Sequence, residues 1–265
     1  AKKISKYLNT EHFETYVTAK DCLNIIPAIS DIYGEPFADS SQIPTILLSQ
    51  IAKKEVTVSL TGDAGDELFG GYNRYFWASR LRKILNFSPK YLTKSLLKSF
   101  LLLNKKIYNF ENLFKINNLS SKIQKVLNVA NYKSNMGFYS ELLTQSDPQN
   151  FLSKEFLLEH NLRLAKEYDK FSFEENMMIN DTKHYLPGDI LTKVDRAAMY
   201  SSLETRVPFL GNEIFKAAWQ IRNDQKFNRN EGKIILKNIL AKHIPKKGFD
   251  RPKMGFGIPI QSWIT

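Results

Sequence analysis

Val56-Thr57-Val58-Ser59-Leu60 runs directly into Thr61-Gly62-Asp63-Ala64-Gly65-Asp66-Glu67-Leu68-Phe69-Gly70-Gly71-Tyr72, and the reading of this stretch decides the fold. Residues 56–60 are a short run rich in β-branched side chains, which predicts a buried strand. Upstream, Cys22, Ile25, Ile26 and Ile29 recur close to a helical turn, predicting a helix that ends near Gly34 and Pro36. Phe37 to Pro44 reads as a turn, Thr45 to Ala52 as a further helix and Lys53 to Glu55 as its charged exit. Helix, strand, glycine-rich turn and helix in that order make half of a parallel α/β unit. Such sheets bind ligands at the carboxyl ends of their strands.

The turn itself carries the strongest chemical signal. Gly62 and Gly65 would let backbone amides approach an anion, and Asp63 and Asp66, three residues apart, could share a helical face. Two carboxylates beside a phosphate-binding turn repel one another unless a cation lies between them, and magnesium favours such oxygen-rich surroundings. A magnesium-nucleotide site follows as one reading. An acidic first turn that stabilises a helix dipole, followed by a Gly-Gly hinge, is the other. The order of residues is neither GxxxxGK[ST] nor GxGxxG.

Beyond Gly71 the pattern becomes helical, with Leu92, Leu96 and Phe100 at i, i+4 spacing and an α-rich stretch from Phe151 to Lys183. Pro187 and Gly188 precede the segment Asp189-Ile190-Leu191-Thr192-Lys193-Val194-Asp195-Arg196. Further helices are expected near Asn212 to Gln220 and Glu231 to His243. Lys193, Asp195, Arg196, Glu204 and Arg206 form a second polar group, suited to an Arg–carboxylate network around a pocket or to the closing of a surface turn. A third signal, Lys246 to Pro259, holds three glycines and two prolines among basic residues. It predicts an irregular loop that could bring Arg251 or Lys253 onto phosphate oxygens, or equally an exposed basic turn.

Composition sets the outer bounds. The 265 residues are 43% hydrophobic and 25% charged, an ordinary globular balance for one large or two small domains. The single cysteine, Cys22, excludes an internal disulfide and reads as core. His12, His160, His184 and His243 lack metal-ligand spacing, which argues against structural zinc. No apolar run approaches the roughly 20 residues of a membrane span, so a soluble, cytoplasmic protein is expected. The net charge of +11 is concentrated between Phe76 and Lys133, where twelve Lys or Arg face only Glu111. A solvated helical face accounts for it without a nucleic-acid or membrane partner, although a basic binding module is the non-enzymatic alternative.

Taken in order, Ser59–Tyr72, Asp189–Arg196, Ser202-Leu203-Glu204-Thr205-Arg206-Val207-Pro208-Phe209-Leu210 and Arg251-Pro252-Lys253-Met254-Gly255-Phe256-Gly257-Ile258-Pro259, with Glu35-Pro36-Phe37-Ala38-Asp39 ahead of them, resemble the synthetase domain of glutamine-hydrolysing asparagine synthetases. The resemblance spans nearly the whole chain. It implies an adenine-nucleotide α-hydrolase-like α/β fold whose parallel sheet is truncated on its N-terminal side beside a large α-helical portion. The expected divisions are an α/β nucleotide-site portion at 1–75, a helical portion at 76–185 and a helical and loop portion completing the site at 186–265.

The activity implied is ATP-dependent amidation of aspartate through a β-aspartyl-adenylate, with ATP and Mg2+ as cofactors and ammonia drawn from glutamine by an N-terminal glutaminase domain in cis. A homodimer is compatible with it. By the same resemblance Asp66 is the magnesium-pyrophosphate carboxylate, Asp63 organises the reaction centre, Lys253 stabilises the pyrophosphate, and Gly62 and Gly65 shape the loop. The family's upstream SGGxDS loop and glutaminase domain have no counterpart in this sequence, so the segment is expected to be inactive alone. A relative that amidates another carboxylate, on a sugar or a β-lactam precursor, is the alternative enzyme.

Overall fold

The structure, a computed structural model, describes residues 2–87, 95, 99, 119–144, 152–153, 166–228 and 230–249. The chain divides into two compact units, residues 72–180 and the combination of 1–71 with 181–265. The elements in chain order are α1 (Lys2–Leu8), α2 (Ala19–Ile25), α3 (Ile29–Tyr33), α4 (Gln42–Glu55), β1 (Val58–Leu60), α5 (Gly65–Leu68), α6 (Asn73–Phe87), α7 (Leu119–Val129), α8 (Asn135–Leu143), α9 (Phe173–Asn180), a π-helical segment (Asp181–Leu191), α10 (Thr192–Tyr200), β2 (Glu204–Arg206), α11 (Asn212–Gln220), α12 (Asn223–Lys226) and α13 (Ile234–Leu240). This is the expected α/β class, adenine-nucleotide α-hydrolase-like, with a small open parallel sheet and a large helical portion.

The sheet consists of β1 and β2 in parallel, with Val58 opposite Glu204 and Leu60 opposite Arg206. Its ladder is prolonged at both ends, where Glu204 N–H donates to Thr57 O at 3.0 Å and Thr61 N–H to Arg206 O at 2.9 Å. The strand expected to be buried is not. Val56, Val58 and Leu60 are exposed, Leu60 by 73%, because no described element lies over that face of the two-stranded sheet. Parallel strands are ordinarily covered on both faces, which is what the apolar run is written for.

Beside the sheet, α10 packs on α4, and small residues explain how closely. Ala197 is fully buried in a cluster with Ile32, Tyr33 and Ile46. The contact is locked by polar bonds. Lys193 Nζ reaches Asp39 Oδ2 at 2.7 Å and Ser41 Oγ at 2.9 Å, while Tyr33 OH donates to Lys193 O at 3.2 Å. Tyr33 in turn stacks on Phe37, with ring centroids 4.8 Å apart. Gly34, in the left-handed region at φ 72°, ends α3 as expected. Pro44, read as part of a turn, instead lies in the first turn of α4, where its missing N–H has no intrahelical partner to lose.

Pro187 and Gly188 lie inside a helical run. It continues through them as an eleven-residue π-helical segment that leads without interruption into α10. The wider turn accommodates the proline, and Thr192 Oγ1 donates to the Pro187 carbonyl at 2.8 Å.

In the 72–180 unit, α6 buries Tyr75, Ala78, Ser79, Arg82 and Leu85 along one stripe. Arg82 is 9% exposed and makes its bonds inward. Its Nη1 donates to Tyr132 O at 2.9 Å, its Nη2 to Lys133 O and its Nε to Asn135 Oδ1, and the guanidinium lies 5.2 Å from the Phe138 ring centroid. One member of the basic run is therefore a cross-link between α6 and the start of α8. The Leu92–Phe100 stripe lies outside the described residues. No helix among the described residues is long and apolar enough to cross a membrane.

The Asp39–Lys193 tie yields a stability prediction. Burial opposes the charged form of Asp39, but the bonds from Lys193 and Ser41 outweigh it and hold the carboxyl below the ordinary range. Since the folded-state pKa is the lower one, the stabilisation is complete above the unfolded value of about 4 and is lost as pH falls through the folded value. Asp39→Asn is expected to cost about 2 kcal/mol at pH 7 in urea denaturation, with the gap to the unaltered protein closing below about pH 4.

Candidate functional site

The chain leaves the carboxyl end of β1 through Thr61 and Gly62 and re-enters helix at Gly65. Between them Ala64 adopts φ 65°, ψ −12° while only 1% exposed. For a residue with a Cβ this left-handed conformation costs about 1 kcal/mol, and it persists only where packing over-determines it. Asp63 lies in the turn just before Ala64, and Asp66 in the single turn of α5; both are half-buried. Thr61 Oγ1 is buried at the strand end without a hydrogen-bond partner, an orphaned polar atom at the position where parallel sheets receive ligands.

Gly62 and Gly65, paired in the sequence reading, occupy unlike places. A Cβ on Gly62 would meet nothing within 4 Å, so this backbone is open to solvent and to a ligand. Gly65 is covered by Phe209, whose ring would stand 3.1 Å from a Cβ there.

Phe227, Gly232 and Lys233 come against this turn from the C-terminal part of the chain. Lys233 N–H donates to Phe69 O at 3.1 Å, and Lys233 Nζ lies 3.2 Å from Asp66 Oδ1, the two side chains being 30% and 22% exposed. Lys233 also has a left-handed backbone, φ 57°. Its approach requires glycine on both sides. A Cβ on Gly232 would fall 2.1 Å from Gly70 O, and one on Gly71 would fall 2.1 Å from Asp66 Oδ1 and 2.4 Å from Lys233 Cε. Beneath the turn, Ala64, Leu68 and Phe69 join Leu186 and Ala218 in one apolar cluster.

Sequence reasoning took Lys233 for a residue of the helix expected at 231–243. The signal that marks it is Gly232-Lys233 placed immediately before the apolar run Ile234-Ile235-Leu236, since a glycine there permits a close backbone contact.

The second polar group does not form one network. Lys193 is engaged with Asp39, Glu204 and Arg206 pair with each other along β2, and Asp195 and Arg196 are exposed on α10. Lys253, Arg251 and the rest of the Arg251–Pro259 motif lie outside the described residues. Cys22 is buried, and burial pushes its thiol up, as befits a core residue.

Among the described residues, no cluster of three or more His, Cys, Asp or Glu side chains could hold a metal. The donor set nevertheless suits magnesium of one kind. Asp66 offers a partly exposed carboxylate in the same turn as the open backbone of Gly62 and the orphaned Thr61 hydroxyl. Magnesium bound with a nucleotide typically takes one or two carboxylates and completes its octahedron with phosphate oxygens and water. Asp66 fits a cation that arrives with a polyphosphate.

Comparison with known proteins bears on the whole chain. The sequence profile described as Asparagine synthase matches residues 1–265. The Bacillus subtilis (strain 168) protein named asparagine synthetase [glutamine-hydrolyzing] 1 is 29% identical over 275 residues, covering 100% of this chain and 40% of its own length. A second Bacillus subtilis protein, asparagine synthetase [glutamine-hydrolyzing] 3, is 26% identical over 247 residues, covering 92% of this chain and 33% of its own length. The chain thus spans about two fifths or less of the curated relatives it matches. No solved structure matches it significantly.

The glycine geometry separates two substitutions. Gly232→Ala, which drives a Cβ into the Gly70 backbone, is expected to cost about 3 kcal/mol, whereas Gly62→Ala, facing open space, is expected to stay within about 0.5 kcal/mol. Urea denaturation of both variants checks the contrast.

Proposed function

The chain belongs to the asparagine synthase family, and on that premise we propose that its site serves ATP-dependent amidation of the side-chain carboxylate of aspartate. The observation that carries the reading is Asp66, a partly exposed carboxylate in the turn that leaves the carboxyl end of a parallel strand through the open backbone of Gly62. A carboxylate resists ammonia because its charge repels a nucleophile and oxide cannot leave. Attack of the aspartate carboxylate oxygen on the α-phosphorus of ATP breaks the bond to pyrophosphate and yields a β-aspartyl-adenylate. Ammonia then adds at the acyl carbon, loses a proton, and AMP departs with the former carboxylate oxygen.

The chain's own residues divide this work. Asp66 would hold a magnesium ion that arrives with the polyphosphate, and that ion would supply charge neutralisation for the pyrophosphate. Gly62, without a side chain, lets backbone amides approach the phosphates, and Gly65 shapes the entry to α5. Asp63, which makes no hydrogen bond or ion pair among the described residues, organises the acyl centre and receives the ammonia proton. Lys253 neutralises the departing pyrophosphate. Ammonia comes from glutamine through a glutaminase domain, in keeping with the glutamine-hydrolysing relatives.

The test uses the protein as its gene encodes it, with ammonium supplied directly. Aspartate-dependent release of pyrophosphate from MgATP is expected, with asparagine and AMP identified by mass, and Asp66→Asn is expected to lower kcat about 100-fold or more. Nucleotide binding without aspartate-dependent release overturns the aspartate assignment and directs the search to other carboxylates, including sugar and β-lactam precursors.

A further inference from the structure

Lys233 has no role in the proposed reaction, yet its ammonium lies 3.2 Å from Oδ1 of Asp66, the carboxylate on which that reaction turns. Its backbone is held at both levels, by the N–H bond to Phe69 O and by the Gly232–Gly70 approach, while its four-carbon side chain lies across Gly71 to reach Asp66. Its Nζ also stands 3.6 Å from where a Cβ on Gly65 would be, at the entry to α5. The residue is thus fixed at its backbone, its side chain is partly exposed, and its ammonium lies beside the turn proposed to receive phosphates.

This arrangement poses an electrostatic question. Asp66 cannot bind a divalent cation and keep an ammonium 3.2 Å from Oδ1 without placing two positive charges against each other. A polyphosphate arriving with that cation carries surplus negative charge, which a displaced ammonium can neutralise through its three donors. We propose that Lys233 is a second phosphate-binding cation, held by Asp66 in the ligand-free protein and transferred to the polyphosphate when the divalent cation takes the carboxylate.

The inference rests on the proposed nucleotide site and adds to it a residue, an exchange of partners and a sign for each binding step. In the ligand-free state Lys233 keeps Asp66 oriented and guards it against bare cations. In the bound state it serves the phosphates directly. A purely structural ion pair would do only the first.

Two equilibria, both measured without any amino-acid substrate, separate these cases in the protein as its gene encodes it: binding of Mn2+ alone, read by electron paramagnetic resonance, and binding of MgATP, read by calorimetry. Lys233→Met is expected to bind Mn2+ several-fold more tightly, because the competing ammonium is gone, and MgATP about ten- to hundredfold more weakly, because a charge-assisted bond to phosphate is lost. Lys233→Arg is expected to keep MgATP affinity within about threefold. Should Lys233→Met fail to fold by thermal unfolding, Lys233→Gln, which retains a donor toward Asp66 without the charge, takes its place with the same two readouts. MgATP binding that is unchanged or tightened in the neutral variant overturns the transfer, and Mn2+ binding that does not tighten overturns the exchange at Asp66. Absence of MgATP binding in the unaltered protein removes the nucleotide site itself, and this inference with it. Binding of MgATP without aspartate-dependent turnover leaves the exchange standing and overturns only the choice of amino-acid substrate.

Discussion

The close passage of Gly232 against Gly70 is the constraint on which the site depends. With no side chain on either residue, the backbone of 232–233 can lie against that of 69–70, and Lys233 N–H can donate to Phe69 O. That single approach converts two segments more than 160 positions apart in the chain into one wall. It brings an ammonium to Asp66, covers Gly70 with Phe227, and closes the apolar cluster beneath α5 through Ile235 and Leu236. A methyl group at Gly232 would meet a carbonyl oxygen rather than a yielding side chain, so the contact has no cheap substitute.

A second constraint sets where the strand end points. β1 is only three residues long and its outward face is exposed, so its pairing with β2 has little packing of its own. The partner strand is delivered by α10, which is fastened to α3 and α4 by Lys193, Asp39, Ser41 and Tyr33. The π-helical segment feeds α10 without a loop, so the register of β2 against β1 is transmitted from a rigid helical run. Fixing β2 in this way fixes Arg206 O, the acceptor for Thr61 N–H, and hence the take-off of the turn that carries Asp63 and Asp66.

What sequence alone made legible divides along physical lines. Local chemistry was readable: the strand within 56–60, the glycine stop of α3 at Gly34, and α11 from Asn212 to Gln220, whose limits match the expectation. Motif order also revealed the family over the full chain. Contacts of long sequence separation were not readable. Nothing near Lys193 announces Asp39, and nothing near Lys233 announces Asp66, because each pair is made by topology rather than by spacing. Pro187 shows the limit of a local rule. A proline excludes the regular α-helical bond but not a wider turn, and only the continuity into α10 shows which solution the chain takes.

Exposure distinguishes the two ion pairs. Were Asp66 and Lys233 a device for stability, burial would be expected to shield their attraction from water, as at Asp39–Lys193, where the side chains are 23% and 12% exposed. The Asp66–Lys233 pair sits at 22% and 30%, with Asp66 in the same turn as the open backbone of Gly62 and an unpartnered Thr61 hydroxyl. Its carboxylate is as sheltered as the structural one, whereas its ammonium is the more exposed of the two lysines by more than twofold. A held carboxylate facing a releasable cation is poorly suited to a permanent clamp. It is well suited to a site whose charge balance must change when a polyanion and its metal enter together.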